Sequence, residues 1–180
     1  GRTSEDLLTH QRAMGITTTI LLPAGRPVIS QSTNNGESNG LEAKITTNRD
    51  ARKFAKKHPG EFLFAANEVP DLPDAIKEIE KYLKRGAVAI GELKFAVPCD
   101  SPEMQKIYQL AQDYDVPVLM HWQHGRFNFG FERFHTILEK YPKVNFIGHA
   151  QTWWANIDKN HNDQTVLYPK GKLTPGGLTD

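Results

Sequence analysis

The sequence predicts an α/β fold built on a parallel sheet, and three observations predict it. Helical and strand patterns alternate along most of the chain. Apolar runs such as Val118-Leu119-Met120 are continuous rather than alternating, as in strands covered on both faces of a parallel sheet. Three of these runs end in a chemically active side chain, Glu92, His121 or His149, and a parallel β/α sheet delivers all its strand ends to one rim. Such a sheet belongs either to a complete doubly wound domain or to part of a (β/α)8 barrel. A full barrel takes about 250 residues. The chain has 180, which makes it a barrel segment on that reading. Its last stretch, Thr174 to Asp180, reads as a loop and helix cap with no helix following, which favours the segment.

The elements follow in order. Thr3 or Ser4 can cap a first helix carrying Leu7, Leu8 and Met14, with Gly15 as its stop. Ile16 to Leu22 is a β-branched strand closed by Pro23. The polar stretch from Ala24 to Thr46 is too long for an ordinary connector and is expected to be a functional or mobile loop. Asn48 is the expected cap of a helix ending near His58-Pro59-Gly60, and Phe62 to Ala66 is the next strand. Asp71 or Pro73 opens a helix with Ile76, Ile79 and Leu83 at helical spacing and Gly86 as its stop. Ala87 to Glu92 is a strand. Asp100-Ser101-Pro102-Glu103 starts a helix whose apolar face is Met104, Ile107, Leu110 and Ala111. Val116 to His121 is a strand, Phe131 to Lys140 a helix and Val144 to His149 a strand, after which regularity fades.

Composition sets bounds on function. With 38% hydrophobic and 24% charged residues the chain is an ordinary globular protein, expected to be a single domain over residues 1–180. The net charge is +1 (22 basic against 21 acidic), which points to no nucleic-acid partner and no anionic membrane. The expected partner is a small-molecule substrate, and the composition is compatible with a homo-oligomer. No apolar stretch approaches the roughly 20 residues needed to cross a bilayer, and no signal peptide is visible. A soluble chain is expected, in the cytoplasm rather than exported. The chain starts at Gly1 rather than Met, so an upstream segment is expected to be missing. Cys99 is the only cysteine, which excludes an internal disulfide framework and a Cys-rich zinc site. Gly-x-Gly-x-x-Gly, Walker, Gly-x-Ser-x-Gly and His-Glu-x-x-His motifs are absent, so nucleotide-binding and serine-hydrolase readings lose their support.

The candidate metal ligands are Glu92, His121 and His149. Neutral imidazole binds zinc, manganese, iron or nickel. The two histidines hold equivalent places in two successive β/α units, which sets them apart from a lone structural histidine. A carboxylate ending an apolar strand must be paired, hydrogen-bonded or bound to a cation. For Glu92 the alternatives are metal ligation and an ion pair with Lys94 or an arginine. Lys94 lies two residues on, on the same side of an extended chain. His124, at the start of a loop, either contacts substrate or faces solvent. Gln151, Trp153 and Trp154 follow His149 on the same rim, where Trp153 can wall a pocket or pack beneath the loop. His10, His58, His135 and His161 sit in helix or loop contexts outside the site.

Gly91-Glu92-Leu-Lys94, then Pro117-Val-Leu-Met-His121, then Tyr141-Pro-Lys-Val-Asn-Phe-Ile-Gly-His149-Ala together resemble the amidohydrolase-related (amidohydrolase 2) family of TIM-barrel metal-dependent hydrolases. The unit of helix, Tyr-Pro, strand and His is the most specific part, and the resemblance runs from about Leu7 to Ala150. It implies a divalent metal, zinc first, at the C-terminal rim of the barrel. His121, at the fifth strand, is implied as a ligand. His149, at the sixth, is implied as a ligand or as the catalytic base and electrophile beside the metal. Glu92 is similar to the glutamate that ends the fourth strand in the related TatD-type hydrolases. A carbamylated lysine fills that place in other relatives, with Lys94 the less favoured candidate. The family's opening His-x-His and closing Asp are missing, so the chain reads as about strands two to six of the barrel, expected to be weakly active or inactive alone.

For the complete enzyme, the resemblance implies hydrolysis of small organic amides, esters or lactones by metal-activated water, with the missing Asp as base. Lys94, His124, Gln151 and Trp153 are the expected substrate contacts, with Phe127 as a further apolar wall. A non-oxidative decarboxylase on the same rim is the nearest rival. A TatD-like nuclease is opposed by the near-zero charge. A non-catalytic β/α binding domain with structural histidines is the rival of another class.

Overall fold

A computed structural model of the chain describes residues 4–36 and 47–156. Five strands alternate with helices: α1 (Ser4–Ala13), β1 (Thr19–Leu21), α2 (Asn48–Lys57), β2 (Phe62–Phe64), α3 (Ala75–Leu83), β3 (Ile90–Leu93), α4 (Pro102–Tyr114), β4 (Val118–His121), α5 (Phe134–Lys140), β5 (Phe146–His149) and α6 (Gln151–Ala155). The strands pair parallel, β1 with β2 and β3 with β4 with β5. A bridge between Ala66 and Ile90 joins the two groups, with the Val88 N–H on the Phe64 carbonyl and the Gly91 N–H on the Ala66 carbonyl. The sheet therefore runs in chain order, as successive β/α units require.

One face of the sheet is packed against helices. Phe62 and Phe64 meet α2, where Phe54 stacks edge-on against Phe62 at 4.9 Å. Ile79, Ile90, Met104, Ile107, Val118 and Met120 are fully buried in the same layer. Burying each such side chain is worth about 1.5–3 kcal/mol, so this layer fixes which way every strand faces. The opposite face differs from expectation. Ile20, Leu63 and Ile147 are 47%, 39% and 48% exposed, so among the described residues the runs of β1, β2 and β5 are covered on one side, whereas at the start of β3 the neighbours Ala89, Ile90 and Gly91 are all buried. The registers Ile20↔Leu63 and Leu119↔Ile147 show that these residues share that second face.

Local signals explain the helix ends. Ser101 accepts the Met104 N–H, and Pro102 opens α4 as its sequence predicts. The cap of α2 is Thr47, which forms a capping box with Asp50, rather than Asn48. Asn48 is buried instead, with its carboxamide clamped to the backbone of Asn67. The start of α3 is also shifted. Asp71 accepts a hydrogen bond from Ser32, and Asp74 pairs with Arg26 at 2.5 Å, so the helix begins at Ala75. The segment from Phe131 opens with a 3-10 turn (Phe131–Arg133) before α5, and the short helix α6 occupies a stretch where sequence shows no regular pattern.

The segment after β1 is tied to the rest of the fold as far as Ser32, which donates to Asp71 and accepts the Ala96 N–H. The fully buried Glu68 carboxylate accepts the Arg26 guanidinium at 2.7 Å and the backbone N–H of Arg26 and Val69 at 3.0 and 2.8 Å. Gly25 stands where a Cβ would come within 3.0 Å of Glu68 Oε1, at φ +89°. The remainder of the predicted loop, residues 37–46, lies outside the described residues, as do His161 and the tail from Thr174.

Candidate metal centre

Glu92, His121 and His149 converge. In the β4–β5 ladder His121 stands directly opposite His149, and parallel pairing turns both imidazoles to the second face of the sheet. Their ring centroids are 5.3 Å apart. Glu92, near the end of β3, reaches across: its Oε1 lies 2.8 Å from His121 Nδ1 and 2.9 Å from His149 Nδ1. The three residues offer ligand atoms that all lie within 4.8 Å of one another. His121 is buried and His149 exposed, so the centre opens on the His149 side.

Burial by itself would raise the Glu92 carboxyl. The hydrogen bond from His121 and the nearby charges of His121, His149 and Lys94 outweigh it and hold the group below the usual carboxylate range. A carboxylate kept ionised between two imidazoles is a donor set suited to a borderline divalent cation. The chemistry of the residues present therefore fits such an ion.

The surroundings are built from the loops after β4 and β5. Phe127, buried, packs edge-on to His121 at 5.7 Å and carries the Lys94 ammonium 5.2 Å above its ring. Gln123 Oε1 lies 3.4 Å from His121 Nε2. Trp154, not Trp153, is the indole beside His149, at 5.6 Å. Trp153 lies against Gly148, where a Cβ would stand only 2.1 Å from its Cδ2, and faces Phe131 at 6.1 Å. His124 is exposed, with its backbone N–H on the Thr152 hydroxyl at 2.7 Å. Gln151 is partly buried, with an Oε1 that has no hydrogen-bond partner. A cavity of about 330 Å³ lies alongside, lined by His124, Asn128, Phe131, Arg133 and Thr152 among others; the three donors are not part of its wall. His10, His58 and His135 lie elsewhere: His10 and His135 bond to backbone carbonyls near their own helices, and His58 stacks on Phe54.

Two buried amides escape a reading by strand-end logic alone. Asn67 donates to the Glu92 carbonyl at 2.7 Å, and Asn128 donates to the Leu93 and His121 carbonyls at 2.7 and 2.6 Å. Asn67 had a signal available, since it follows an apolar strand just as His121 ends one. Asn128 sits in a loop with no comparable pattern.

Among solved structures the chain is similar to TIM-barrel proteins. An uncharacterised TIM-barrel protein of Bordetella bronchiseptica matches with a TM-score of 0.62 and 18% identity, over 86% of this chain and 53% of its own. An amidohydrolase II matches at 0.56 and 19%, over 81% and 55%. A 2,6-dihydroxybenzoate decarboxylase from Rhizobium matches at 0.53 and 16%, over 82% and 55%. The chain thus spans about half the length of these structures, and its five β/α units form part of a TIM barrel. No family model matches the chain. No curated protein sequence matches it.

No helix among the described residues is long and apolar enough to cross a membrane.

Proposed function

We propose that this chain carries the metal-binding rim of a metal-dependent hydrolase acting on small organic amides, esters or lactones. The single observation that carries the reading is the convergence of one carboxylate and two imidazoles from three successive strand ends, with ligand atoms within 4.8 Å. Glu92, His121 and His149 would hold the ion. Once bound, a divalent ion such as zinc supplies a hydroxide-like water near neutral pH and polarises a carbonyl.

The protein's own contribution is arrangement. His149, the more exposed of the two imidazoles, serves either as the third ligand or, where Glu92 and His121 alone hold the ion, as the group that accepts and returns a proton at its ring nitrogen. Phe127 gives His121 a dry wall, and Lys94 above that ring places a positive charge beside the centre, suited to a substrate carboxylate. Trp154 flanks His149 on the open side, and His124, Gln151 and Trp153 on neighbouring loops are proposed to contact more distant parts of the substrate. A second reading, non-oxidative decarboxylation, draws support from the fold likeness to a 2,6-dihydroxybenzoate decarboxylase.

The test is metal binding followed by turnover. The chain, purified without chelator, should take up Zn²⁺ or Co²⁺, and His121→Ala or Glu92→Gln should weaken uptake at least about tenfold, in line with loss of a ligand. Full-length protein should then separate the two readings by product: release of CO₂ from hydroxybenzoates, or acid from esters and lactones. Failure of wild-type chain and full-length protein to bind either ion overturns the metal reading and leaves the three residues as a hydrogen-bonded cluster.

A further inference from the structure

The β3–β4 register is irregular between Ile90 and Leu93, which is where Glu92 stands. Two side-chain amides hold the backbone there. Asn67 Nδ2 spans the carbonyls of Pro23, at 3.0 Å, and Glu92, at 2.7 Å. Asn128 Nδ2 spans those of Leu93, at 2.7 Å, and His121, at 2.6 Å. Both residues are at least 98% buried. Their orientation follows from their partners: rotating either carboxamide would set its oxygen against two carbonyl oxygens.

Both amides also sacrifice an acceptor. Asn67 Oδ1 and Asn128 Oδ1 are buried without a hydrogen-bond partner, and leaving such a group unmet costs about 1–3 kcal/mol. Asn67 is itself fixed from behind, with its N–H on Asn48 Oδ1 at 2.9 Å and its carbonyl receiving Asn48 Nδ2 at 2.7 Å. The unmet oxygen does not by itself set them apart, since Gln11 shares it. These two are placed where their N–H groups reach the backbone of Glu92 and His121.

We propose that Asn67 and Asn128 are positioning residues of the metal centre: Asn67 sets Glu92, and Asn128 sets His121 together with the end of β3. The inference rests on the metal-binding reading of the site. A donor set held by buried hydrogen bonds needs little rearrangement to accept an ion, which is why groups behind metal ligands typically carry 10–100-fold in affinity.

The experiment compares the wild-type chain with Asn67→Ala, Asn128→Ala and the isosteric Asn128→Asp. Gln11→Ala serves as a control for loss of a buried amide. Gln11 is equally buried, also leaves its oxygen unpartnered, and donates to the Glu61 carbonyl at the opposite end of the strands. Each variant is held at a temperature where circular dichroism shows it folded, and Co²⁺ affinity is read from titration and the visible spectrum. The three asparagine variants should lose about 10–100-fold in Co²⁺ affinity with an altered spectrum, and Gln11→Ala should match wild type.

The metal-free protein gives a second readout, the ¹⁵N–¹H signal of the His121 imidazole. Asn128→Ala should shift it or lose it to exchange, and Gln11→Ala should not. Wild-type affinity in Asn128→Asp, or an equal loss in Gln11→Ala, overturns the positioning role while leaving metal binding intact. If wild type binds no Co²⁺, the metal reading fails, and an unchanged His121 signal in Asn128→Ala then overturns the positioning of His121 as well.

Discussion

Gly148 is a position where one methyl group should propagate to the centre. A Cβ there would lie 2.1 Å from Trp153 Cδ2 and 2.3 Å from Cε2 and Cε3. Carbon atoms settle at about 3.5–4.0 Å, so Gly148→Ala requires the indole to retreat by roughly 1.5 Å. The indole is not free to move, because it also packs against the core and stands edge-on to Phe131 at 6.1 Å. Overpacking of this kind costs about 1–3 kcal/mol, which for a chain of this size lowers the melting temperature by about 2–12 °C. Trp153 sits in α6 beside Trp154, the partner of His149, so the same shift should loosen the open side of the Glu92–His121–His149 cluster. The assay is urea unfolding of wild type, Gly148→Ala, Trp153→Ala and the double variant. The cost of Gly148→Ala should shrink by more than about 1 kcal/mol in the Trp153→Ala background, a coupling typical of residues in contact. Equal costs in both backgrounds, or no cost at all, would refute the packing argument.

Other expectations follow the same logic. Gly91→Ala places a Cβ 2.5 Å from the Leu119 carbonyl oxygen at φ +129°, and should destabilise the chain by more than about 1 kcal/mol in urea unfolding and weaken metal uptake. The Cys99 thiol, buried and bonded to the Gly130 carbonyl, is pushed up to about 12 by burial, so it should resist alkylation at pH 8 until the chain unfolds. Since the unfolded thiol ionises at about pH 8.5, stability should fall as pH rises above that value toward the raised folded one, a slope that Cys99→Ala removes from thermal melts at raised pH. Glu92 has the opposite sign. Its carboxyl is held low in the folded state, so its contribution is present above the unfolded value of about 4.3 and is lost as pH falls through the folded one. Glu92→Gln should flatten the acid limb of a melting-temperature profile in metal-free protein.

The strand ends are legible because a β/α repeat is simple. An apolar run ending in His or Glu, followed by a helical pattern, leaves little choice about where that last residue goes. Hence Glu92, His121 and His149 meet as their positions predict. The amides do not show, because Asn67 and Asn128 act through backbone carbonyls, and no sequence pattern marks which carbonyls lack a ladder partner. The choice between Trp153 and Trp154 is equally hidden. Adjacent residues of a helix point about 100° apart, and it is Trp153 that fills the space left by the missing side chain of Gly148. Asn48 has the residue type of a cap, yet its side chain finds a better partner in Asn67, far along the chain, than in its own helix.

The pairing of His121 with His149 across β4 and β5 carries one further consequence. In that ladder Phe146 lies opposite Val118 on the helix-packed side, three residues before His149. A slip of β5 by a single position would turn His149 away from Glu92 and lift Phe146 out of the aromatic cluster in the same movement. Assembly of the centre is thus a digital event, right or wrong by whole residues, and an error there also spoils the hydrophobic interior. Chains that pack well have, by that fact, set their imidazoles in place.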